Sequence, residues 1–230
     1  MKLKYSSIKI FLLYILFVSL ADAACKHCGN DPELKANVKV LLQVPEDKAT
    51  VGVIPYYTHN KQIYLLLARE RLDGKKVNAA GKFSDFGGSV VLDGSTFAQN
   101  ALRELKEESM GQIVISEDDL LNKSLMLYKT NNIGRVIIYL LYPFTEEQYL
   151  QTKSFNDLRV KLSALSRTPS SYLEKDKFYW FRFKDVFEHI SRVKDIDGQD
   201  HEIQLRDFFV QDFIMHHDLP KAIENISPNN

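Results

Sequence analysis

The sequence predicts an α/β fold built around one unit near the middle of the chain, in which a strand, a glycine turn and a helix follow one another. Residues 89–92 have the composition of a strand, and an Asp-Gly turn follows them. Residues 97–108 then place apolar side chains along one arc of a helix, so this helix has a face to bury. Ser95 or Thr96 is the expected N-cap.

Further strands and helices are predicted on both sides of this unit. Apolar runs, alternating or continuous, predict strands at 36–44, 50–57, 62–68, 112–115, 124–129, 135–144 and 177–183. Helical spacing predicts helices at 146–166 (with breaks), 185–193 and 202–216. A polar loop at 69–82 carries Arg69, Arg71 and Lys82, which could face a polyphosphate or simply water.

The first 23 residues have the pattern of a secretory signal peptide. Three lysines among the first nine residues precede an apolar run at 10–20, and Ala21-Asp22-Ala23 offers a cleavage site after Ala23. The apolar run is shorter than the roughly 20 residues of a membrane span, which disfavours the alternative of an uncleaved anchor. We therefore expect a secreted or periplasmic protein without a stable membrane span after cleavage.

Residues 24–35 form a short segment that contains the two cysteines of the chain, Cys25 and Cys28, as C-K-H-C. A structural zinc site would need His27 and distant groups as further ligands. A redox C-x-x-C normally opens a helix, so a local or intermolecular disulfide in an oxidising compartment is the plainer interpretation. The pair indicates no catalytic role.

The rest of the chain is assigned to one domain at 36–217 and a polar tail at 218–230. Of the 230 residues, 45% are hydrophobic, which suits one domain with a substantial core. The formal net charge is zero, so no broad nucleic-acid surface is indicated.

The predicted helix carries an acidic cluster. Glu104, Glu107 and Glu108 are spaced by three and four residues and fall on one side of the helix. Clustered carboxylates suit a hard divalent cation such as Mg²⁺, which takes oxygen ligands. Taken alone, such a run is more often a solvated acidic face.

Residues 87–111 resemble the Nudix box, which reads G-x5-E-x7-R-E-U-x-E-E-x-G-U, where U is aliphatic. R-E-L-x-E-E matches in full at 103–108, and Gly87-Gly88 stand close to the expected place. The resemblance implies an α/β/α sandwich with a mixed β-sheet, in which the box forms a strand, a loop and a helix.

The resemblance also implies an activity, the hydrolysis of a pyrophosphate linkage in a nucleoside diphosphate joined to another moiety. Glu104, Glu107 and Glu108 would hold Mg²⁺ or Mn²⁺ together with the backbone carbonyl near Gly88, and Arg103 would orient a neighbouring acid. The general base would be Glu108 itself or Glu174, an acid of the loop before the tryptophan-containing strand.

The sequence departs from the box in three places. Six residues separate Gly88 from Ser95, one more than in the family. Ser95 replaces the glutamate that helps to anchor Arg103, and Met110 replaces the box glycine, with Gly111 one residue later to supply the left-handed conformation.

These departures leave two alternatives open, a degenerate Nudix fold that binds a nucleotide or a protein without turnover, and an unrelated secreted α/β protein with a chance acidic helix. The substrate also stays open among ADP-ribose-like sugars, dinucleoside polyphosphates, dinucleotide cofactors and capped RNA, because loops outside the box choose it.

Overall fold

The computed structural model describes residues 49–73, 78–91, 93–130, 134–216 and 218–226. The strands in these ranges are β1 (Ala49–His59), β2 (Gln62–Glu70), β3 (Phe83–Ser84), β4 (Phe86–Ser89), β5 (Leu125–Thr130), β6 (Val136–Pro143), β7 (Lys175–Arg182), β8 (Arg192–Lys194) and β9 (Asp200–Glu202). The helices are α1 (Phe97–Glu108), α2 (Glu117–Lys123), α3 (Glu146–Thr152), α4 (Phe155–Ser163), α5 (Phe183–Phe187), α6 (Asp207–Phe209), which continues as a π-helical turn (Val210–Ile214), and α7 (Leu219–Ile226). The predicted signal peptide at 1–23, the cysteine segment at 24–35 and the strand at 36–44 lie outside the described residues.

The described residues contain a seven-stranded mixed sheet whose long path runs β5-β6-β1-β2-β7. β1 and β6 are parallel, whereas the other pairs in this sheet are antiparallel. β4 pairs with the first half of β1, and β3 pairs with the end of β2. The β1–β2 hairpin turns at Asn60 and Lys61, both with positive φ, as a tight turn between right-twisted strands requires.

Both faces of the sheet are covered, because successive side chains of its strands point to opposite sides. One face buries alternate residues of β6 together with residues of α1, α2, α3 and α4. The other face buries the intervening residues of β6 together with residues of α5, α6 and α7. The predicted α/β/α sandwich with a mixed sheet is confirmed.

The pairing of β2 with β7 shifts by one residue at its end. Arg69 pairs with Lys177, but Glu70 pairs with Lys175, so Asp176 is an extra residue in β7. Such an irregularity changes which side chains of a strand share a face. Leu66 and Ala68 of β2 belong to the core on the α1 side, and Glu70 continues their alternation. The shift therefore brings Lys175 opposite Glu70 on the α1 side of the sheet.

One predicted strand and one predicted helix beside the sheet are wrong. Residues 112–115 are not a strand, and α2 begins soon after them with Ser116 as its N-cap. The predicted helix at 185–193 ends at Phe187, and its last residues belong to β8. Short apolar runs do not distinguish helix, strand and packed coil by periodicity alone, which explains both errors.

The C-terminal prediction also needs correction. The expected helix at 202–216 begins as β9 and becomes helical only from Asp207. The expected polar tail at 218–230 is wrong over the described part, because α7 forms there and buries Leu219 and Ala222 completely. None of the described helices has both the length and the apolar character that a membrane crossing requires.

Candidate active site

The candidate active site lies where β4 and α1 meet. Thr96, rather than Ser95, is the N-cap of α1, and it forms a capping box with Gln99. Asn100 is buried; its side chain accepts a hydrogen bond from Val91 N and donates one to Thr96 O, both at 3.0 Å. The loop before α1 is thus tied to the helix, which fixes the acidic face of α1 against the glycines of β4.

Glu104 lies directly against the backbone of Gly88. A Cβ atom at Gly88 would stand 2.6 Å from the carboxyl carbon of Glu104, so the carboxylate occupies the space that a side chain at Gly88 would take. Arg103 Nη2 donates a 2.6 Å hydrogen bond to Glu104 Oε1, and Arg103 Nη1 lies 3.6 Å from Glu107 Oε2. Arg103 therefore orients two of the three predicted site acids, as the resemblance implies.

Glu108 faces the interior and has only 3% of its surface exposed. Its Oε2 accepts a 2.9 Å hydrogen bond from Gly87 N, and its Oε1 lies 3.2 Å from Lys175 Nζ. Both carboxylate oxygens of Glu108 are thus engaged by donors within the protein.

Lys175 is the main feature of the site that the sequence analysis missed. Its side chain is completely buried, and Nζ donates a 2.8 Å hydrogen bond to Glu70 Oε1. Arg206 Nη1 donates to the same oxygen at 3.0 Å. Glu70 and Lys175 are brought together by the register shift between β2 and β7, and no local pattern in either segment signals this contact.

Burial alters the ionisation of this cluster. Burial raises the pKa of Glu108 to about 8, although Lys175 acts in the opposite direction. Burial also raises the pKa of the Asp85 carboxyl. For Lys175, burial alone would lower the pKa, but the carboxylates of Glu108 and Glu70 outweigh it, so the pKa is raised and the ammonium stays charged. Burial is thus the main cause of both raised carboxyl pKa values, and the nearby cations oppose it.

Glu174, the predicted alternative base, stands immediately before β7. Its backbone carbonyl accepts a 3.0 Å hydrogen bond from Arg71 N, which anchors the polar loop to the end of the short helical turn at Ser170–Leu173. The other acid of this segment, Asp176, accepts a forked pair of hydrogen bonds from Arg69 at 2.7 and 3.1 Å. The role of Glu174 as a base remains a prediction.

Arg69, Arg71 and Lys82, the basic residues of the polar loop that the structure describes, are each paired with an acid. Besides the Arg69 pair, Arg71 forms a forked pair with Asp73, and Lys82 Nζ donates to Asp207 Oδ1 at 3.0 Å. Each of these cations therefore has a carboxylate partner within the protein.

The three glutamates of α1 differ in how well they suit a divalent cation. Among the described residues, no three His, Cys, Asp or Glu side chains form a group that could hold a metal ion, so the predicted metal role of the three glutamates is not established. Glu104 and Glu107 fit such a role, because both carboxylates are part-exposed, Glu104 lies against Gly88, and oxygen donors suit Mg²⁺ or Mn²⁺. Glu108 does not fit as it stands, because Lys175 and Gly87 N already engage it.

Comparisons with known proteins show similarity in architecture. The chain is similar to a Nudix hydrolase from M. smegmatis, RenU (11% identity, 80% of this chain and 90% of that chain, TM-score 0.46). It is also similar to the Nudix domain of Shewanella oneidensis NrtR complexed with ADP ribose (14% identity, 80% and 90%, TM-score 0.42).

A third similar structure is Shewanella oneidensis NrtR complexed with a 27mer DNA (15% identity, 77% of this chain, TM-score 0.40), and this chain spans 61% of that protein's length. No protein-family model matches the sequence, and no match was found among curated proteins. At these identities and TM-scores, the similarities by themselves establish neither an activity nor a substrate for this chain.

Proposed function

We propose that the protein is a Nudix-type hydrolase that uses a divalent cation, Mg²⁺ or Mn²⁺, to cleave the pyrophosphate linkage of a nucleoside diphosphate derivative. The observation that carries the proposal is the placement of the Glu104 carboxylate, held by Arg103, against the backbone of Gly88. The reaction class comes from the resemblance of residues 87–111 to the Nudix box. The geometry supports it because glycines bring the backbone close to the acids.

The residues of the site would have three roles: binding the cation, orienting its ligands and accepting a proton. Glu104 and Glu107, with the backbone carbonyl near Gly88, would hold the cation, which when bound neutralises pyrophosphate oxygens and lowers the pKa of a coordinated water. Arg103 fixes the orientation of both carboxylates through its guanidinium fork. Glu174 would accept the proton of the attacking water, as the resemblance implies.

Glu108 receives a different role from the one that the sequence suggested. Its carboxylate accepts a hydrogen bond from Gly87 N, and this contact fixes the glycine pair on which Glu104 rests. We therefore propose that Glu108 positions the glycine backbone and does not coordinate the cation in this arrangement. Its loss would reach the chemistry through Gly88.

A second candidate is a non-catalytic module that binds a nucleotide derivative on the same fold. The engagement of Glu108 by Lys175 favours it, because one of the three carboxylates of the box is already neutralised within the protein. Ser95 and Met110, which depart from the box, are further support. Both candidates take a small nucleoside diphosphate-linked molecule as ligand.

Chromatographic detection of the nucleotide products formed by the full 230-residue chain tests the proposal, because cleavage of the pyrophosphate linkage yields two phosphorylated products. The substrates would be ADP-ribose, a dinucleoside polyphosphate, a dinucleotide cofactor and capped RNA, each with Mg²⁺, Mn²⁺ or EDTA. We expect turnover of at least one substrate, lost with EDTA and in a Glu104→Gln, Glu107→Gln double variant. The matched control is Glu146→Gln, Glu147→Gln, because these adjacent exposed acids begin α3. Absence of turnover with all substrates, together with cation binding, would favour the non-catalytic module.

We further propose that residues 1–23 direct export and are removed after Ala23. The support is the basic start, the apolar run and the small residues before the expected cut. Mass spectrometry of the N-terminus of the protein from culture medium or periplasm should find a chain that begins at Ala24. An intact Met1 in cytosolic protein would contradict the export proposal.

A further inference from the structure

The ammonium group of Lys175 lies in an environment that resembles a cation site. Four oxygen atoms surround Nζ, Glu70 Oε1 at 2.8 Å, Glu108 Oε1 at 3.2 Å, and Ser84 Oγ and the Asp85 carbonyl both at 3.4 Å. Two of these oxygens belong to carboxylates, and the side chain of Lys175 has no exposed surface. A lysine is almost never fully buried unless it is paired, so these contacts balance the cost of its burial.

The charges around Lys175 show why a cation is needed there. Glu70 and Glu108 bring two buried carboxyl groups to this side of the sheet, and the carboxyl of Asp85 lies beside Gly52 and Gly87. Lys175 and Arg206 are the cations that act on them. Without an internal cation, the acids would repel one another and would need a metal ion or protons instead.

We propose that Lys175 is a positioning residue whose tethered ammonium takes the place of a metal ion between Glu70 and Glu108, so that divalent-cation binding is confined to Glu104 and Glu107. The inference deepens the proposed function and rests on it for the role of Glu104 and Glu107. The ammonium group of Lys175 is covalently attached and cannot exchange with ions in solution. Glu70 and Glu108 therefore keep their arrangement whether or not divalent ions are present.

A short chain of contacts connects Lys175 to Glu104, one of the two acids that would hold the divalent cation. Lys175 holds one oxygen of Glu108, and the other oxygen of Glu108 holds Gly87 N at 2.9 Å. Gly88 follows Gly87 and carries the Glu104 carboxylate against its Cα. Lys175 therefore sets the position of Glu104 indirectly, through Glu108 and the two glycines.

The test counts bound Mn²⁺ by electron paramagnetic resonance of the free ion, and it measures Tm in EDTA and in saturating Mn²⁺. Glu108→Gln should leave the number of bound ions unchanged and lower the Mn²⁺ affinity by no more than the roughly 10–100-fold of a positioning residue, whereas Glu104→Gln, Glu107→Gln should abolish binding. Loss of a bound ion in Glu108→Gln would overturn the proposal.

The second arm replaces the tethered cation itself. Lys175→Met should have a lower Tm in EDTA, bind one additional Mn²⁺, and gain more Tm from Mn²⁺ than the wild-type protein does, because an ion that binds the native state stabilises it. Adding Glu70→Gln to Lys175→Met should raise Tm in EDTA and remove the additional Mn²⁺ site. A Lys175→Met protein that folds and binds no additional ion would contradict the inference. If Lys175→Met does not fold, the Glu108→Gln comparison still decides.

The outcomes separate this inference from the proposed function. Turnover that depends on Mn²⁺, combined with loss of an ion in Glu108→Gln, would refute the role of Lys175 and leave the hydrolase intact. The expected ion counts without turnover of any substrate would support the role of Lys175 and refute the hydrolase.

Discussion

Two adjacent glycines of β4 should respond to alanine in opposite ways. A Cβ at Gly87 would lie 2.6 Å from both the Cα of Gly52 and the carbonyl oxygen of Val51. These are backbone atoms of β1, the neighbouring strand, and they cannot move without breaking the ladder. The three atoms nearest to a Cβ at Gly88 would instead all belong to the carboxylate of Glu104, the end of a flexible side chain. Neither glycine has a positive φ, so steric contact alone decides the outcome.

The magnitudes follow from what must move. Overpacking against backbone should cost Gly87→Ala about 3 kcal/mol of unfolding free energy. For a chain of this size, that loss corresponds to a fall in Tm of roughly 6–12 °C. Gly88→Ala should keep its unfolding free energy within about 1 kcal/mol of the wild-type value, because the side chain of Glu104 can rotate away. The displaced carboxylate should nevertheless reduce Mn²⁺ affinity about 10–100-fold.

Urea denaturation and Mn²⁺ titration of the two variants check this contrast. Each variant is the control for the other, since the substitution is the same and the positions are adjacent. A Gly88→Ala protein with normal Mn²⁺ affinity would refute the placement of Glu104 in the cation site. Equal destabilisation of both variants would refute the steric reasoning.

Three further predictions concern α1. Arg103→Gln should lower turnover about tenfold, because Glu104 and Glu107 lose the group that orients them. The loss of this part-exposed ion pair should change the unfolding free energy by less than about 1 kcal/mol. Unchanged kinetics would exclude the orienting role. Glu108→Gln should flatten the dependence of stability on pH. The folded-state pKa of Glu108, about 8, exceeds the ordinary value of 4.5, so its contribution to stability is complete below pH 4.5 and is lost as the pH rises through about 8; equal slopes in urea melts across this window would contradict the raised pKa. Thr96→Ala should cost about 1 kcal/mol, because Thr96 Oγ1 caps Gln99 N at 3.1 Å, whereas Ser95→Ala, at a position that does not cap the helix, should cost less in the same melt.

The helix α1 was predictable because its signals are local, whereas the strand predicted at 89–92 is wrong, because β4 is formed by Phe86–Ser89. α1 forms where the apolar spacing and the cap predict it, and the positions of Glu104, Glu107 and Glu108 on one helix side follow from the same periodicity. The exit of α1 was predicted only in part. Gly111 has the expected positive φ of 74°, but Met110 also adopts a left-handed conformation, with φ of 58°.

The centre of the site could not be predicted from local patterns. Lys175 and Glu70 are 105 residues apart in sequence, and their contact depends on the register of two antiparallel strands. A lysine at the start of a predicted strand looks the same whether it faces water or an internal carboxylate. The contact becomes visible only when the extra residue in β7 is located.

The C-terminal helix is a different kind of error, because its signal was present. Leu219, Ala222 and Ile223 are spaced by three and four residues, which is the pattern of a helix with one buried face. The polar residues after them concealed this short pattern.

The register shift in β7 determines the sign of the charge at the centre of the site. Without the register shift, continuous pairing from Arg69 and Lys177 would place Asp176 opposite Glu70. That arrangement would set two carboxylates beside Glu108, and like charges on facing strands repel one another. Regular pairing of the same residues would therefore exchange a built-in cation for a third acid, and the acids around Glu108 would depend on ions from the surroundings. A difference of one residue in strand pairing can thus separate a site that neutralises its own acids from one that must recruit a metal.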